Sequence, residues 1–529
     1  MYDYIVVGAG SAGCVLASRL SEDPDVSVLL IEAGGDNREE HMSVPAMFGQ
    51  LFKTAHDWDY ESEPEPNLGG RRNYLPRGKG LGGTSALNGM VYIRGHRDDF
   101  DGWRDLGNPG WGYEDVLPYF IKAEDNVRGE SEYHGVGGPL SVSDPRYEHP
   151  ISRAWLESAL AAGFELNPDF NGPEQDGVGF YQVTQREASR WSTATAYLYP
   201  ALERPNVEVR THTFANRILI EDGRAVGVEV EHMSKLESLK ASREVIVSSG
   251  VYNSPVLLML SGIGPRAQLA NFGIECLVDL PVGEGLQDHA GIFLQYATDT
   301  ETMRTVGTPE NLELWRQKRE GPLTSNVVEV GGFFRSRPDL PRPDVQTTIM
   351  PIGWAEEGLA EVKDDQFMIL QWLLRPETTG SVRLRSATPS AKPRIVNNHL
   401  DREADMRSMI DGLRLQLRIA EQEPLRSHQR AALQAPPIDG SDAEFEQYLR
   451  DGVLSCYHAT SSCRMGEVVD SKLKVHGIEG LRVADASVMP FMVNGNPNAA
   501  TIMIGEKASD LVKGIDRAGG AGAVSASAS

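Results

Sequence analysis

Asp3-Tyr-Ile-Val-Val-Gly-Ala-Gly-Ser-Ala-Gly-Cys14 is the stretch that decides the fold of this chain. Ile5 to Val7 are apolar and β-branched, the pattern of a short, fully buried strand. Gly8, Gly10 and Gly13 follow as a G-x-G-x-x-G turn into a helix predicted over 11–20. The first glycine allows the tight turn, the second lets backbone touch a pyrophosphate, and the third lets helix and strand pack closely. Ser11 and Ala12 open the helix, where free N–H groups and the dipole favour phosphate charge.

A second apolar strand, Val26 to Ile31, ends in Glu32 and Ala33, with Glu32 lying 19 residues beyond Gly13. A carboxylate there accepts from ribose hydroxyls and repels a 2′-phosphate. The bland alternative is a glycine turn in an ordinary βαβ unit with a surface glutamate. The motif alone does not separate FAD from NAD.

Bulk properties narrow the classes. A chain of 529 residues exceeds one compact core, so two or more domains are expected. The net charge of −24 argues against nucleic acid and anionic membranes as partners, since both need basic patches. Four cysteines in so long a chain are no disulfide framework, and a reducing compartment fits them. Cys456, His458 and Cys463 lack the pairing and fourth ligand of a standard metal site, so no metal is expected. The first strand begins almost at Met1, with no signal-type segment before it. No apolar run approaches the ~20 residues that span a bilayer. A cytoplasmic location without a transmembrane segment is therefore the expectation. The low-complexity end, 516–529, reads as a disordered tail.

Pro76-Arg-Gly-Lys-Gly-Leu-Gly-Gly-Thr-Ser-Ala-Leu-Asn88 is dense enough in glycine for backbone to lie against a flat ligand. Short β-rich runs follow at 207–210, 217–220, 225–230 and 244–250. A helix is predicted to start at Pro255 and to stop at Ser261-Gly-Ile-Gly-Pro265. Residues 381–385 alternate as a half-exposed strand, and 401–420 open as an amphipathic helix. The second half of that helix, Leu413, Leu415, Leu417 and Ile419, alternates instead. Near the end, Asn496 reads as the N-cap and Pro497 as the first residue of an apolar helix.

Taken together these pieces resemble the glucose–methanol–choline (GMC) oxidoreductase family. The resemblance rests on Gly8-x-Gly-x-x-Gly13, Arg77 to Asn88, Ser249 to Gly264, Tyr457-His-Ala-Thr-Ser-Ser-Cys-Arg-Met-Gly466, and Val483 to Pro490 running into Asn496 to Gly505. These motifs span almost the whole chain in family order, closest in character to the choline and aliphatic alcohol dehydrogenase branch. The resemblance implies an α/β fold: a Rossmann-like FAD-binding domain built from discontinuous segments, plus a substrate domain with a mainly antiparallel sheet and helices. It divides the chain into an FAD-binding region (1–295), a substrate domain (296–454) and a returning segment with the catalytic pair (455–515). It also implies FAD as cofactor and hydride transfer from an alcohol carbon to flavin N5.

Residue by residue, the resemblance gives Gly8, Gly10 and Gly13 the pyrophosphate and Glu32 the ribose. It gives Gly82, Gly83, Thr84, Asn88, Gly89, Met90 and Val91 the flavin, and Asp485 with Ala486 the ribityl and pyrophosphate. Ala215 is placed near the adenine, and Asn496, Pro497 and Asn498 at the flavin edge. Relatives that bind FAD covalently use a histidine where this chain has Leu87, so dissociable, non-covalent FAD is expected.

Oxidising an alcohol removes a hydride from carbon and a proton from oxygen, so a base with a pKa near working pH is needed. His458 matches the family's catalytic histidine, and Asn496, 38 residues on, matches the second position. An amide there donates to the alcohol oxygen and orients it. Asn498 competes for that role, and His289 reads as structural. The family's His-Pro-x-Gly-Thr pattern is His458-Ala-Thr-Ser-Ser462 here, which puts the loop geometry beside the flavin in doubt. A lyase of the same fold, a light-driven decarboxylase and a non-catalytic flavin protein are the competing readings. The implied partners are a small-molecule alcohol or polyol, a sugar or glycoside among them, and oxygen or a quinone as electron acceptor. A choline site needs an aromatic cage or a carboxylate. Trp315, Phe333, Phe334, Trp354 and Trp372 are candidates for a pocket wall, though aromatics in such a domain are more often core.

Overall fold

The structure is a computed structural model that describes residues 1–515. The tail expected over 516–529 lies outside the described residues.

Two seven-stranded sheets carry the architecture. In the first, strand Tyr2–Val7 lies between Val28–Ile31 and the end of Lys235–Val247, all parallel. Val207–Arg210 extends the parallel set on one side, and Leu481–Val483 joins it on the other. The first half of Lys235–Val247 leaves the parallel set and pairs antiparallel with Arg224–His232, which pairs with Thr213–Glu221. One long strand thus belongs to a nucleotide-type sheet at its C-terminal end and to a meander at its start. Helix Ser11–Leu20 packs on the parallel strands and against helix Asn498–Lys513. Its burial is nearly complete, with Cys14, Val15, Leu16 and Ala17 fully enclosed.

The second sheet is antiparallel throughout. Its order is Ala431–Gln434, Ala290–Ala297, Gln366–Leu373, Val345–Met350, Val330–Phe334 and Gly177–Phe180, with Leu454–Ser455 added to Ala290–Ala297. Helices Pro150–Ala161 and Glu403–Ala420 cover one face. The expected pairing of a Rossmann-like sheet with a mainly antiparallel one is what the chain forms. Its sheets draw on distant segments: Val382, Leu384 and Ile395 pack in the core of the first sheet, and Val178 in that of the second.

Several local expectations need correction. Strand Lys235–Val247 ends earlier than the predicted 244–250, and the next helix begins at Gly250, not Pro255. Proline inside a helix strips a hydrogen bond from the carbonyl four residues back. Here that carbonyl, on Val251, accepts from the Ser462 hydroxyl at 2.6 Å, so the helix passes through the proline. Residues Glu403–Ala420 form one continuous helix. Its alternating leucines all lie in the core because packing from several sides, by a sheet strand and two helices, widens the buried face beyond one stripe. The last helix starts at Asn498 with Pro497 at the cap position, so Asn496 is not its N-cap. The strand predicted over 381–385 is Gly380–Arg383, in a separate three-stranded sheet.

Candidate active site

The parallel strands end side by side, and their C-terminal ends open into one cavity of about 620 Å³. Ligands of open α/β sheets sit at this edge. Gly8, Glu32, Ser248 and Asp485 each follow one of these strands and line the cavity. The far wall is the antiparallel sheet, through Phe293, Thr348, Met350, Leu370 and Trp372.

Gly8 sits at φ +102, and a Cβ there would lie 2.5 Å from the Ser248 carbonyl oxygen. A Cβ on Gly13 would lie 1.9 Å from the Gly8 carbonyl oxygen, so this glycine serves the packing of turn on helix and does not line the cavity. Gly82, at φ +93 between Ala86, Ala194 and Ser192, also lies behind the wall. The other residues expected at the cofactor do line the cavity: Gly8, Gly10, Ser11, Ala12, Glu32, Ala33, Gly83, Thr84, Asn88, Gly89, Met90, Val91, Ala215, Asp485, Ala486, Asn496, Pro497 and Asn498. Leu87 lines it too.

Gly10 tests the fit of a dinucleotide. It has ordinary negative φ, and the closest protein atom to a Cβ built there is 3.9 Å away. Neither backbone strain nor protein packing on its Cβ accounts for glycine at this position, whereas a pyrophosphate resting on the turn does. Glu32 also fits, and does more than expected. Its carboxylate accepts from the N–H groups of Ala9 (2.9 Å), Gly34 (2.8 Å) and Gly80 (3.0 Å). It therefore ties the first glycine turn to the second glycine loop. Burial raises its pKa, with these bonds opposing. Asp485 is likewise buried, accepting from Ser254 Oγ (2.6 Å), Gly250 N (2.9 Å) and Ser487 N (2.8 Å). FAD would rest on Gly10 and the helix N-terminus with Glu32 at its ribose.

At the other end of the cavity His458 Nε2 lies 3.0 Å from Asn496 Nδ2. The expected pair is thus brought together from two segments. Asn496 is free for this role because it does not cap the helix. Its Oδ1 accepts from Gln346 Nε2 at 3.4 Å, while Asn498 Oδ1 faces away and accepts from Ser11 Oγ. His458 is held at its backbone by Asp288, whose carboxylate accepts the His458 N–H at 2.8 Å and the Ser455 hydroxyl. Burial lifts the Asp288 carboxyl to about 6, against the pull of Arg77. Arg77 also donates to the Tyr457 carbonyl. Burial drives the His458 pKa well below the usual histidine value, with the neighbouring His289 and the Arg77 charge adding to it.

His289, which the sequence suggests is structural, lies in contact with the pair. It is fully buried, its Nδ1 lies 2.9 Å from His458 Nδ1, and its Nε2 lies 3.1 Å from the Leu374 carbonyl oxygen. The sequence holds no local sign of this contact, because the two histidines are 169 positions apart. Of the aromatic candidates, Trp354 and Trp372 line the cavity, while Trp315, Phe333 and Phe334 are buried core. The aromatic wall is completed by Phe48, Phe52, Phe293 and Tyr457, which the sequence did not single out. Phe52 contacts Phe48, Trp354 and Tyr457 edge-on.

The loop at the departure from the family pattern keeps a defined shape. Thr460 pairs with Gln287, and Ser461 takes a left-handed backbone at φ +74, where the pattern has glycine. Among the described residues no group of three His, Cys, Asp or Glu side chains is arranged to hold a metal ion, and no helix is long and apolar enough to cross a membrane.

Comparison with known proteins agrees with this geometry. Family models described as GMC oxidoreductase match residues 2–291 and 376–505. The oxygen-dependent choline dehydrogenase of Sinorhizobium fredii is 41% identical, over 97% of this chain and 95% of its own. The mitochondrial choline dehydrogenase of Homo sapiens is 42% identical, over 97% and 90%. Among solved structures, pyridoxine 4-oxidase from Mesorbium loti superposes with a TM-score of 0.88 at 29% identity, covering 96% of this chain and 98% of that one. A formate oxidase of Aspergillus oryzae, whose title concerns modification of its FAD, gives 0.90 at 28% identity, over 97% and 98%. The chain therefore belongs to the GMC oxidoreductase family, as an FAD-dependent enzyme acting on CH–OH donors.

Proposed function

We propose that His458 and Asn496 carry out the oxidation of an alcohol whose body is apolar or a quaternary ammonium. The observation that carries this reading is the His458–Asn496 pair, 3.0 Å apart at the aromatic end of the same cavity that Gly10 and Glu32 line. When bound there, FAD supplies the acceptor of the hydride. The chain's own residues handle the oxygen. The hydroxyl oxygen accepts from Asn496 Nδ2 while its proton points at His458 Nε2. His458 takes the proton as the carbon–hydrogen bond breaks, and the Asn496 amide steadies the charge gathering on oxygen. Phe48, Phe52, Phe293, Trp354 and Tyr457 surround the rest of the substrate and keep water away.

That wall bears on the substrate. The carboxylates lining the cavity are Glu32 and Asp485, both bonded to backbone N–H groups at the nucleotide end. The aromatic end offers ring faces and few polar partners, which suits aryl, aliphatic or quaternary ammonium alcohols and disfavours sugars and polyols. Leu87 lines the cavity where covalently flavinylated relatives carry histidine, in keeping with FAD that dissociates on denaturation. The unpaired cysteines fit a cytoplasmic setting.

Anaerobic mixing tests the reading. Aryl and aliphatic primary alcohols and choline are expected to bleach the flavin, with glucose and glycerol far slower. H458Q is expected to slow bleaching by ~10²- to 10⁴-fold. If no alcohol bleaches the protein while dithionite does, the reading fails. The rate of recolouring in air then separates oxygen from a quinone as acceptor.

A further inference from the structure

We propose that His289 is a positioning residue that fixes the reactive lone pair of His458 on Nε2, using the Leu374 main-chain carbonyl as its reference. The proposal rests on the alcohol-oxidation reading for its kinetic consequence, but not for its structural one.

A main-chain carbonyl only accepts, so the 3.1 Å contact to Leu374 O requires a proton on His289 Nε2. A neutral imidazole carries one N–H, so His289 Nδ1 then holds a lone pair. His458 Nδ1, 2.9 Å away, must donate into it. The His458 proton is thereby used on Nδ1, and its Nε2 keeps the lone pair that accepts from Asn496 Nδ2 and faces the cavity. The Leu374 carbonyl is itself held, because the Leu374 N–H donates to Asp344 O at 2.8 Å.

The opposite end is set in the same way. Tyr181 donates its hydroxyl proton to the Thr347 carbonyl at 2.8 Å, so its oxygen accepts from Gln346 Nε2 at 3.2 Å. Gln346 Nε2 also reaches Asn496 Oδ1, which turns the Asn496 Nδ2 group toward His458. The reacting pair is therefore polarised between two carbonyls of the antiparallel sheet region, Leu374 and Thr347. A lone histidine partitions its proton between the two ring nitrogens, and this arrangement removes that partition. His289 is neutral because it is enclosed: burial holds it at about 3, outweighing the Leu374 and Val493 carbonyls, which favour the charged ring. After His458 has taken the substrate proton, its Nδ1–H still donates to His289, so the imidazolium forms without any ring having to turn.

The test uses the FAD-loaded protein and three variants. H289F keeps a planar ring but offers no acceptor; H289N offers Oδ1 near the position of Nδ1. Long-range ¹H–¹⁵N spectra of ¹⁵N-histidine-labelled protein, with His458 assigned by its loss in H458Q, are expected to show His458 as the Nδ1–H tautomer in the parent and in H289N. In H289F they are expected to show the other tautomer or a mixture. In stopped-flow reduction, H289F is expected to lose about a hundredfold or more in the limiting rate, with KM changed by less than about threefold, and H289N is expected to recover most of it. A His458 tautomer unchanged in H289F overturns the proposal whether or not any alcohol is oxidised. An Nε2–H tautomer in the parent overturns it equally. A parent protein that no alcohol reduces, with the tautomer behaving as stated, overturns the alcohol reading alone.

Discussion

The Ser462 hydroxyl donates to the carbonyl of Val251, the one carbonyl that Pro255 leaves without a helical partner. Ser462 belongs to the loop that carries His458, so the bond joins the helix after the long shared strand to the His458 loop. Both ends are buried, Ser462 completely.

Removing that hydroxyl leaves a buried carbonyl unpaired. S462A is expected to lose about 1–3 kcal/mol of stability, measured as a lower denaturation midpoint at unchanged slope. S462T restores the donor and is expected to lose less. Equal midpoints for S462A and the parent would show that the carbonyl has another partner.

That bond also shows what the sequence could reveal. The turn Gly8–Gly13, its flanking strands and Glu32 were readable because each is local: glycines at fixed spacing, apolar runs of strand length, one acid at a set distance. The start of helix Gly250–Leu260 is misplaced because Pro255 reads locally as a first helical residue, a signal overruled by a hydroxyl more than 200 positions away. The His458–Asn496 pair was legible through family motifs, whereas His289 looked structural because its meaning depends on a contact across 169 residues. Asn496 was read as a cap from its place before Pro497. The structure gives its side chain to His458 instead, which no rule of helix ends contains.

The pH dependence of reduction follows from burial around His458. Enclosure, then the neighbouring His289 and the Arg77 charge, hold its pKa well below 6.5. A base works when unprotonated, and a lowered pKa keeps it so as pH falls through 6.5. The acid limb of kcat/KM is therefore expected below pH 6.5. R77Q removes the opposing charge and is expected to move that limb upward. An acid limb at or above 6.5 in the parent would contradict the placement of His458 in a desolvated, positively biased site.

A second histidine works in the opposite direction, on stability. His134 lies between Asp169 (Nε2 to Oδ2, 2.8 Å) and Glu124 (Nδ1 to Oε2, 3.1 Å), with Arg94 bonded to the same glutamate at 2.6 Å. Burial opposes its charge, but the bonds to Asp169 and Glu124 outweigh it and raise the pKa to about 9. A folded-state pKa above the unfolded value means protonation favours the fold. The contribution is complete below about 6.5 and is lost as pH rises toward 9. The melting temperature of the parent is expected to fall across that window, and that of H134Q, lower at pH 6, to fall less. Parallel melting curves for the two from pH 6 to 9.5 would place the proton elsewhere.

Two glycines of one turn separate cofactor binding from folding. A methyl group on Gly13 would meet the Gly8 carbonyl oxygen at 1.9 Å, and no side chain can move aside because the obstacle is backbone. G13A is therefore expected to misfold, appearing as aggregated or protease-sensitive protein. A methyl group on Gly10 meets no protein atom closer than 3.9 Å, at a φ any residue adopts, so the protein has room for it. What lacks room is a pyrophosphate lying on that turn. G10A is expected to fold with parent-like far-ultraviolet circular dichroism and protease resistance as apoprotein, yet to be purified with little flavin and to need far more added FAD for retention. A yellow G10A with full flavin content would mean that the phosphates lie away from the turn, and that the cavity holds its cofactor by Glu32 and the second glycine loop alone.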